Sequence, residues 1–356
     1  MQLRRRIALE AFRKLQNDLT HEHPLRQLFW ECTLRCNLNC RHCGSDCKVK
    51  SDSPDMPLHD FLRVLDQVAE RTDPHKVFVI VTGGEPLMRP DLEACGRAIY
   101  DRGFPWGMVT NGLALTPQRF RRLLQSGLHT ATVSLDGLED DHNWMRGNAR
   151  SFACATRAIE LMAAEDGFVF DVVTCVNRRN IGHLSDIRHH LVSLGVKAWR
   201  LFTVFPSGRG ATDPDLQLTP EEFRTLMAFI RDTRREGLIH ASYGCEGFLG
   251  DWEGEVRDHL FTCQAGISVG SVLIDGSISA CPSIRADYHQ GNIYAHNFMD
   301  VWEQRFAPYR QREWMRTGEC RDCKYFRYCR GGGMHLRGED GTLMFCHLHR
   351  FLSDGE

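Results

Sequence analysis

The chain has 356 residues, of which 42% are hydrophobic and 25% charged, as is ordinary for a globular protein with one large domain or a domain and an appendage. Its 44 Lys and Arg residues and 46 Asp and Glu residues give a formal net charge of -2. That balance excludes nucleic-acid binding through bulk charge, although a local basic patch stays open. The unusual residue is cysteine, with 15 copies.

The chain begins with a basic stretch rather than with a secretory signal. Met1–Arg6 is followed by only a few apolar residues, Ile7–Leu9, which is too short a run for a signal sequence. No run of about 18 apolar residues predicts a membrane-spanning helix. We therefore expect a cytoplasmic protein whose thiols stay reduced and mostly ligate metal. Helical spacing of apolar residues from Arg4 to Lys14 predicts a surface helix, with a role at a membrane surface as the alternative.

Short runs rich in Val, Ile, Phe or Thr alternate with amphipathic stretches from about residue 27 to residue 236. The runs predict six strands, at Leu28–Cys32, Lys76–Thr82, Trp106–Thr110, Thr130–Leu135, Phe168–Val176 and Ala198–Val204. The stretches predict six helices, at Leu58–Arg71, Asp91–Asp101, Pro117–Gln125, Ser151–Ala164, Leu184–Leu194 and Pro220–Arg235. Thr219 precedes the last helix as a capping residue. Six βα units in series predict an α/β fold with a parallel sheet or a partial barrel.

The pattern changes after about residue 240. Ser271–Ile274 and Ser277–Ser279 flank Asp275-Gly276 and predict a β-hairpin with a two-residue turn. Cysteines become dense there, and Gly331–Gly333 interrupts regular structure. These features predict a small loop-rich domain held together by metal. We place an amino-terminal helical extension at residues 1–26, a barrel at 27–238 and a cysteine-rich domain at 239–356.

Three cysteines with the spacing Cys36-x3-Cys40-x2-Cys43 follow directly on the first predicted strand. Ligands collect at the carboxyl ends of the strands in a βα repeat. Three thiolates can hold three irons of a cubane cluster and leave the fourth iron without a protein ligand. A zinc site is the alternative, although structural zinc normally closes its fourth position. Cys32 and Cys47 flank the motif.

This spacing resembles the radical SAM superfamily, and further motifs of that family stand at the ends of the next strands. In chain order they are Gly83-Gly84-Glu85-Pro86, Thr110-Asn111-Gly112, Ser134-Leu135-Asp136-Gly137 with Arg146 beyond it, and Pro206-Ser207-Gly208-Arg209-Gly210. Glycines let a backbone approach a ligand closely, and the Glu85 carboxylate can accept a hydrogen bond from an ammonium. The resemblance implies that the first motif binds the methionyl amino group of S-adenosyl-L-methionine and that Ser134 and Arg146 bind its carboxylate. Asn111 belongs to the same expected cofactor-binding set.

The resemblance also implies the chemistry. Cys36, Cys40 and Cys43 would carry a [4Fe–4S] cluster whose open iron binds S-adenosyl-L-methionine. One electron, from a donor such as flavodoxin or ferredoxin, would cleave the cofactor to a 5′-deoxyadenosyl radical, which abstracts hydrogen from the substrate. The protein would position the reactants and exclude side reactions. No residue is identified as the catalytic acid or base.

The later cysteines resemble the SPASM domain, a carboxy-terminal domain that carries auxiliary iron–sulfur clusters. The resemblance implies one closed cluster on Cys320, Cys323, Cys329 and Cys346, and ligands of a second cluster at Cys245, Cys263 and Cys281. Zinc is the alternative at both sets. The family's fourth ligand of the second cluster falls at Gly333, so we expect one or two auxiliary clusters, one with an open iron or a non-cysteine ligand such as His335. The expected architecture is a partial (β/α)6 TIM-like barrel with a small cysteine-rich SPASM domain.

Relatives with a SPASM domain mostly oxidise, crosslink or epimerise peptides or proteins, so the resemblance implies a peptide or protein substrate. One alternative is a small-molecule cofactor precursor of the tetrapyrrole or quinone type, and another is a non-catalytic iron–sulfur or zinc-binding protein. Pro282 follows Cys281 where sulfatase-maturing relatives carry Asp, which argues against that reaction. The chain also resembles a subgroup encoded beside a lipoprotein gene, which indicates no particular reaction. We expect neither a nucleic-acid partner nor membrane insertion.

Overall fold

The computed structural model describes residues 3–204, 206–244 and 246–352. The α-helices are α1 (Leu3–Glu22), α2 (Leu58–Ala69), α3 (Leu92–Tyr100), α4 (Pro117–Gln125), α5 (Glu139–Arg146), α6 (Ser151–Ala163), α7 (Leu184–Ser193), α8 (Pro220–Glu236), α9 (Phe298–Gln304), α10 (Ala307–Arg310) and α11 (Phe326–Cys329). The strands are β1 (Gln27–Thr33), β2 (Phe78–Gly83), β3 (Trp106–Thr110), β4 (Leu128–Ser134), β5 (Val169–Val176), β6 (Ala198–Thr203), β7 (His240–Tyr243), β8 (Val269–Val272), β9 (Ser277–Ser279) and β10 (Gly291–Asn292).

The strands form one sheet in the order β10-β9-β8-β1-β2-β3-β4-β5-β6-β7. Strands β1 to β7 are parallel neighbours, with helices between most of them. The predicted α/β fold with a partial barrel is therefore confirmed. Each predicted strand and helix is present to within about three residues at either end, because hydrophobic periodicity is a strong signal in buried parallel sheets.

Two elements of the barrel were not predicted. Strand β7 has only four residues and belongs to the sheet through its pairing with β6, so the sheet runs past the predicted domain boundary at residue 238. Helix α5 is mostly polar, with Glu139, Asp140 and Asp141 in its first turn. Neither segment contains enough apolar residues to show a period of its own.

The core holds large aromatic side chains on the sheet. Trp30 stacks on Phe61 of α2 with ring centroids 4.5 Å apart. Trp106 is fully buried and donates its indole N–H to the carbonyl oxygen of Ser126 at 3.1 Å. A buried indole needs such a partner, because an unpaired polar group in the core is costly. These contacts anchor α2 and the loop after α4 to the two strands whose ends carry site motifs.

The cysteine-rich region extends the barrel sheet instead of forming a separate one. Strand β8 is parallel to β1, with Phe29 opposite Ser271, and β9 returns antiparallel to β8. The predicted two-residue turn at Asp275-Gly276 is wrong. The turn spans Leu273–Gly276, and Gly276 takes the left-handed conformation (φ 83°) that a glycine at the end of a three-residue loop favours.

The predicted basic helix is present as α1, and it packs on the carboxy-terminal region. Tyr328 donates to Glu10 at 2.6 Å, and Arg330 donates to Thr20 at 3.0 Å. Arg5, near its start, forms an ion pair with Glu255 at 3.3 Å. The helix thus caps the fold. None of the helices within the described ranges combines the length and apolar character needed to cross a membrane.

The amino-terminal cap of α8 provides a test of the fold. The Thr219 hydroxyl accepts a hydrogen bond from the Glu222 amide at 3.2 Å, and the Glu222 carboxylate accepts one from the Thr219 amide at 2.7 Å. We expect Thr219→Ala to lower the free energy of unfolding by about 1 kcal/mol. Thr225→Ala, at an exposed position on the same helix, is the control and should not lower it, because alanine is the better helix former. Equal unfolding midpoints in urea for the two variants would contradict this role of the cap.

Candidate functional site

The Cys36, Cys40 and Cys43 thiols lie around one cavity of about 360 Å³. The loop that carries them leaves β1 at Thr33 and is held in shape by backbone hydrogen bonds, including Cys36 N–H to the Lys48 carbonyl at 2.8 Å. Cys36 and Cys40 are buried, and Cys43 is partly buried. The volume falls in the range of small-molecule sites, and three thiols around one cavity can ligate three irons of a cubane cluster.

The opposite walls of the cavity come from the carboxyl ends of four parallel strands. This is the edge at which ligands bind in open α/β sheets, because the connecting loops leave a crevice there. The lining residues from this edge are Glu31, Thr82, Gly83, Gly84, Glu85, Val109, Thr110, Asn111 and Ser134, joined by Arg146 from α5. Of the cofactor-binding residues predicted from the sequence, Pro86 is buried but is not among the lining residues.

The two glycines at the end of β2, Gly83 and Gly84, are required first by a contact within the protein. The Gly84 amide donates to the Thr33 carbonyl at 2.7 Å, and the Glu85 amide donates to the Arg35 carbonyl at 2.9 Å. A Cβ atom on Gly84 would lie only 2.7 Å from the carbonyl carbon of Arg35. Gly83 has φ 135°, a conformation that other residues rarely adopt. The glycines therefore let the end of β2 pack against the chain that leads into Cys36.

The Glu85 side chain joins β2 to β3. Its buried carboxylate accepts hydrogen bonds from the amide of Leu87 at 3.1 Å, the hydroxyl of Thr110 at 2.8 Å and the amide of Asn111 at 2.7 Å. Burial raises the pKa of this carboxyl, although the three donors oppose that effect. Two of these donors share Oε1 and one binds Oε2, so Oε2 can still accept from a ligand, as can the backbone of this segment.

Asn111 and Arg146 lie against two of the three cysteines. The side-chain nitrogen Nδ2 of Asn111 donates to Oδ1 of Asn37 at 2.8 Å and is 3.8 Å from the Cys36 sulfur. Nη1 of Arg146 is 3.6 Å from the Cys40 sulfur. Burial raises the pKa of the Cys40 thiol, and the Arg146 cation opposes that rise. A cation beside a buried thiol favours the thiolate form, which is the form that binds metal.

Asp136 positions Arg146, a role that the sequence did not indicate. Its carboxylate lies 2.7 Å from Nε of Arg146. Burial alone would raise the pKa of Asp136, but the Arg146 guanidinium, His42, His142 and the Cys175 amide together outweigh burial, and the pKa is lowered. His42 lies 3.9 Å from the same carboxylate, and burial lowers its pKa to about 4. Nδ1 of His42 is buried with no hydrogen-bond partner in the described part of the chain, so this wall can receive a polar ligand.

Arg209 holds the cysteine loop from the far side of the barrel. Its Nε donates to the Cys40 carbonyl at 2.7 Å, and its amide donates to the Cys43 carbonyl at 3.0 Å. Gly208, with φ 54°, lies against the carbonyls of Cys43 and Gly44, where a Cβ atom would collide. The turn at Gly208–Arg209, which the resemblance indicates, therefore holds the metal-binding loop in place. This structural role does not depend on contact with a cofactor.

The two flanking cysteines have different environments. Cys32 is fully buried in the main core. Cys47 lines the cavity, and a hydrogen bond between the Cys47 and Cys43 thiols lowers the pKa of Cys43. Cys47 is thus a fourth thiol at the rim of the site, whereas Cys32 has a packing role.

The carboxy-terminal cysteines Cys320, Cys323, Cys329 and Cys346 line one apolar pocket. Burial raises the pKa of Cys346 to about 11 and raises that of Cys329 further. Such thiols are protonated at neutral pH unless a metal displaces the proton. Nη2 of the buried Arg337 lies 3.3 Å from the Cys320 sulfur. Four converging thiols can close an iron–sulfur cluster or a zinc site.

The third cysteine set is described in part. Cys263 is buried before β8, Cys281 is partly buried after β9, and Cys245 lies outside the described residues. The structure places Gly333 against the backbone of the residue after Cys245. A Cβ atom at Gly333 would lie 2.7 Å from the Glu246 carbonyl oxygen and 2.6 Å from Cε1 of His335. His335 therefore occupies the space next to the position where the family carries its fourth ligand.

Family models match both parts of the chain, the radical SAM superfamily at residues 30–191 and SPASM, an iron–sulfur cluster-binding domain, at residues 263–324. The chain is 31% identical over 318 residues to mycofactocin maturase MftC of Mycobacterium ulcerans, covering 86% of this chain and 82% of that protein. It is 27% identical over 331 residues to the AdoMet-dependent heme synthase of Oleidesulfovibrio alaskensis, covering 88% and 83%. The crystal structure of Streptococcus suis SuiB bound to precursor peptide SuiA has the same fold, with a TM-score of 0.67 and 17% identity over 90% of this chain and 75% of that one.

The chain belongs to the radical SAM superfamily and is a radical SAM enzyme with a carboxy-terminal SPASM domain. Its cofactors are S-adenosyl-L-methionine, a [4Fe–4S] cluster and one or two auxiliary iron–sulfur clusters in the SPASM domain.

The packing of Gly84 against Arg35 provides a test of how the cysteine loop is held. We expect Gly84→Ala to lower the free energy of unfolding by roughly 1–3 kcal/mol, because the added methyl group meets backbone that cannot swing aside. Gly182→Ala is the control, since a Cβ atom there meets nothing within 4 Å. The measurement is the anaerobic unfolding midpoint in denaturant. If both variants unfold at the same midpoint, the contact does not hold the loop.

Proposed function

We propose that the chain reductively cleaves S-adenosyl-L-methionine at the cavity beside Cys36, Cys40 and Cys43, and abstracts hydrogen from a peptide or protein. The observation that carries the proposal is the convergence of these three thiols with four strand ends on one cavity. The cluster and S-adenosyl-L-methionine, when bound, supply a 5′-deoxyadenosyl radical. We place the reaction in the cytoplasm, with a low-potential electron donor such as flavodoxin or ferredoxin.

The chain's own residues would bind and orient these groups. The three thiols would ligate the cluster, leaving one iron open. The backbone of Gly83 and Gly84 faces the cavity and offers polar groups to the methionyl end. Ser134 and Arg146 would bind the cofactor's carboxylate. The buried Nδ1 of His42 without a partner among the described residues supports a polar ligand at this wall.

A peptide or protein substrate is supported by two relatives. MftC, at 31% identity, is named a maturase, and SuiB has been crystallised with its precursor peptide. In this chain, Pro282, Ser283 and Arg285 reach the cavity from the region after β9. A substrate that enters there would contact both parts of the molecule.

A tetrapyrrole precursor is the second candidate substrate. The relative named AdoMet-dependent heme synthase covers 88% of this chain. A tetrapyrrole would enter the same cavity and meet the same residues. The two candidates are distinguished by which compound, a peptide or a tetrapyrrole, the enzyme converts to product when that compound is added.

We further propose that Cys320, Cys323, Cys329 and Cys346 close one auxiliary cluster. Cys245, Cys263 and Cys281 would hold a second cluster, with its fourth position open or filled by His335. The arrangement around Gly333 supports this, since the imidazole lies beside the site of the absent thiol.

The first cysteine set is tested by removal of its thiols. We expect Cys36→Ala, Cys40→Ala and Cys43→Ala each to abolish formation of 5′-deoxyadenosine after anaerobic reconstitution and to lose about four irons per chain. Cys154→Ala, on the partly exposed side of α6, is the control and should retain both. Full activity in any of the three variants would contradict the assignment, and a parent chain with a full cluster but no 5′-deoxyadenosine would favour a non-catalytic protein.

The vacancy at Gly333 is tested by supplying the absent thiol. Gly333→Cys would bring its Cβ atom against both His335 and the Glu246 carbonyl oxygen. Combining it with His335→Ala removes the first contact, and a small backbone shift must relieve the second. We compare this double variant with His335→Ala alone. We expect the Mössbauer spectrum of one auxiliary cluster to change in the double variant, because a thiolate would fill the fourth position. His189→Ala, at an exposed position, is the control. Spectra that stay unchanged in both His335 variants would rule out a vacancy here.

A further inference from the structure

We infer that Arg285 binds a carboxylate group of the substrate inside the cavity beside Cys36. The inference rests on the proposed function, because it takes this cavity as the place where the substrate meets the radical. Its basis is the position of Arg285, the free donors of its guanidinium and its separation from the residues proposed for the cofactor.

Arg285 is held in place by a glutamate at the end of β1. Its Nη1 lies 3.2 Å from Oε1 of Glu31, and the other oxygen of Glu31 accepts the amide of Ile274 at 3.1 Å. The Glu31 side chain is 3% exposed and that of Arg285 is 31% exposed. The pair joins the loop after β9 to the sheet, and it leaves the guanidinium at the cavity surface.

The guanidinium has donors to spare. Within the described part of the chain, Glu31 is its hydrogen-bond partner, and the remaining N–H groups meet no acceptor. The other cation that lines the cavity, Arg146, lies against Asp136 and Cys40. Arginine presents five N–H donors in a planar fork that fits a carboxylate with two parallel hydrogen bonds. Arg285 is therefore a second cation at the cavity with donors available, in addition to the Arg146 proposed for the cofactor.

The open fork lies away from the residues proposed to bind the cofactor's carboxylate. Glu31 is on β1 and Ser134 is on β4, and these strands are three positions apart in the sheet. Measured along the sheet at the usual strand spacing, this separation is about 14 Å, and the curvature of the barrel shortens the straight-line distance. One small cofactor carboxylate cannot occupy both places, so the carboxylate at Arg285 belongs to the substrate.

Two sources offer this carboxylate, and one experiment separates them. The first probe is iron coproporphyrin III, a tetrapyrrole with propionate groups, compared with its methyl ester. The second is a pool of short random peptides that contain Glu and a free carboxyl terminus, compared with the same pool carrying Gln and an amidated terminus. Binding to the reconstituted full chain is measured by anaerobic equilibrium dialysis in the presence of S-adenosyl-L-methionine.

We expect at least one acid probe to bind the parent chain and to lose about tenfold or more in affinity when its carboxylates are capped. Arg285→Gln should cause a similar loss for the acid probe alone, and Arg285→Lys a smaller one, since lysine keeps the charge without the fork. Arg71→Gln is the matched control. It removes a similarly exposed arginine that pairs with Asp300 across the same two regions but does not line the cavity, and it should change neither affinity.

The inference is overturned if Arg285→Gln and capping both leave the affinity within about twofold of the parent value, or if neither acid probe binds the parent chain. It is also overturned if Arg71→Gln weakens binding as much as Arg285→Gln, because the effect then comes from loosened packing between the regions. Formation of 5′-deoxyadenosine without substrate is measured in parallel on the parent chain and on Arg71→Gln, and it should be equal in the two. If the parent chain forms no 5′-deoxyadenosine, that result counts against the proposed function. The dialysis measurement still tests whether Arg285 binds a carboxylate.

Discussion

The chain that leaves β1 and the chain that leaves β2 are packed backbone to backbone, and the placement of the cysteine loop depends on that contact. Side chains on Gly83 or Gly84 would meet the Thr33–Arg35 segment, so the contact exists only because both positions lack a Cβ atom. Glu85 then fastens the same segment to β3 through Thr110 and Asn111. A motif that looks like a ligand-binding turn is thus also the joint that aims three thiols at one cavity.

Arginine guanidinium groups lie next to buried cysteine sulfurs and favour their thiolate form. Arg146 lies 3.6 Å from Cys40, and Arg337 lies 3.3 Å from Cys320. A thiolate away from water is unfavourable unless a cation or a metal is near it. Arg146 is itself held by Asp136, and Arg337 donates to the carbonyls of Gly331 and Gly341. An arginine beside a buried cysteine therefore occurs in both cysteine-rich regions. A carboxylate holds the guanidinium in one region, and backbone carbonyls hold it in the other.

The pairing of β8 with β1 joins the barrel and the cysteine-rich SPASM region through one hydrogen-bonded sheet. It extends the barrel sheet into the hairpin, so the loop after β9 projects over the strand ends that line the cavity. Glu31 then binds both the hairpin turn, through Ile274, and that loop, through Arg285. The cavity acquires a wall from the SPASM region because of this shared sheet.

The sequence by itself determined the six strands, the helices between them, the cysteine motifs and their order along the chain. These features are local, because hydrophobic periodicity, capping and ligand spacing are set by residues close together in the chain. Only the tertiary structure decided that Glu85 binds β3 instead of standing free, that β7 and β8 belong to the barrel sheet, and that Glu31 meets Arg285. The last two residues are 254 positions apart. Such short strands and distant ion pairs have no period of their own, and their partners meet only once the sheet has packed. A carboxylate that this packing buries, such as that of Glu31, then requires a partner.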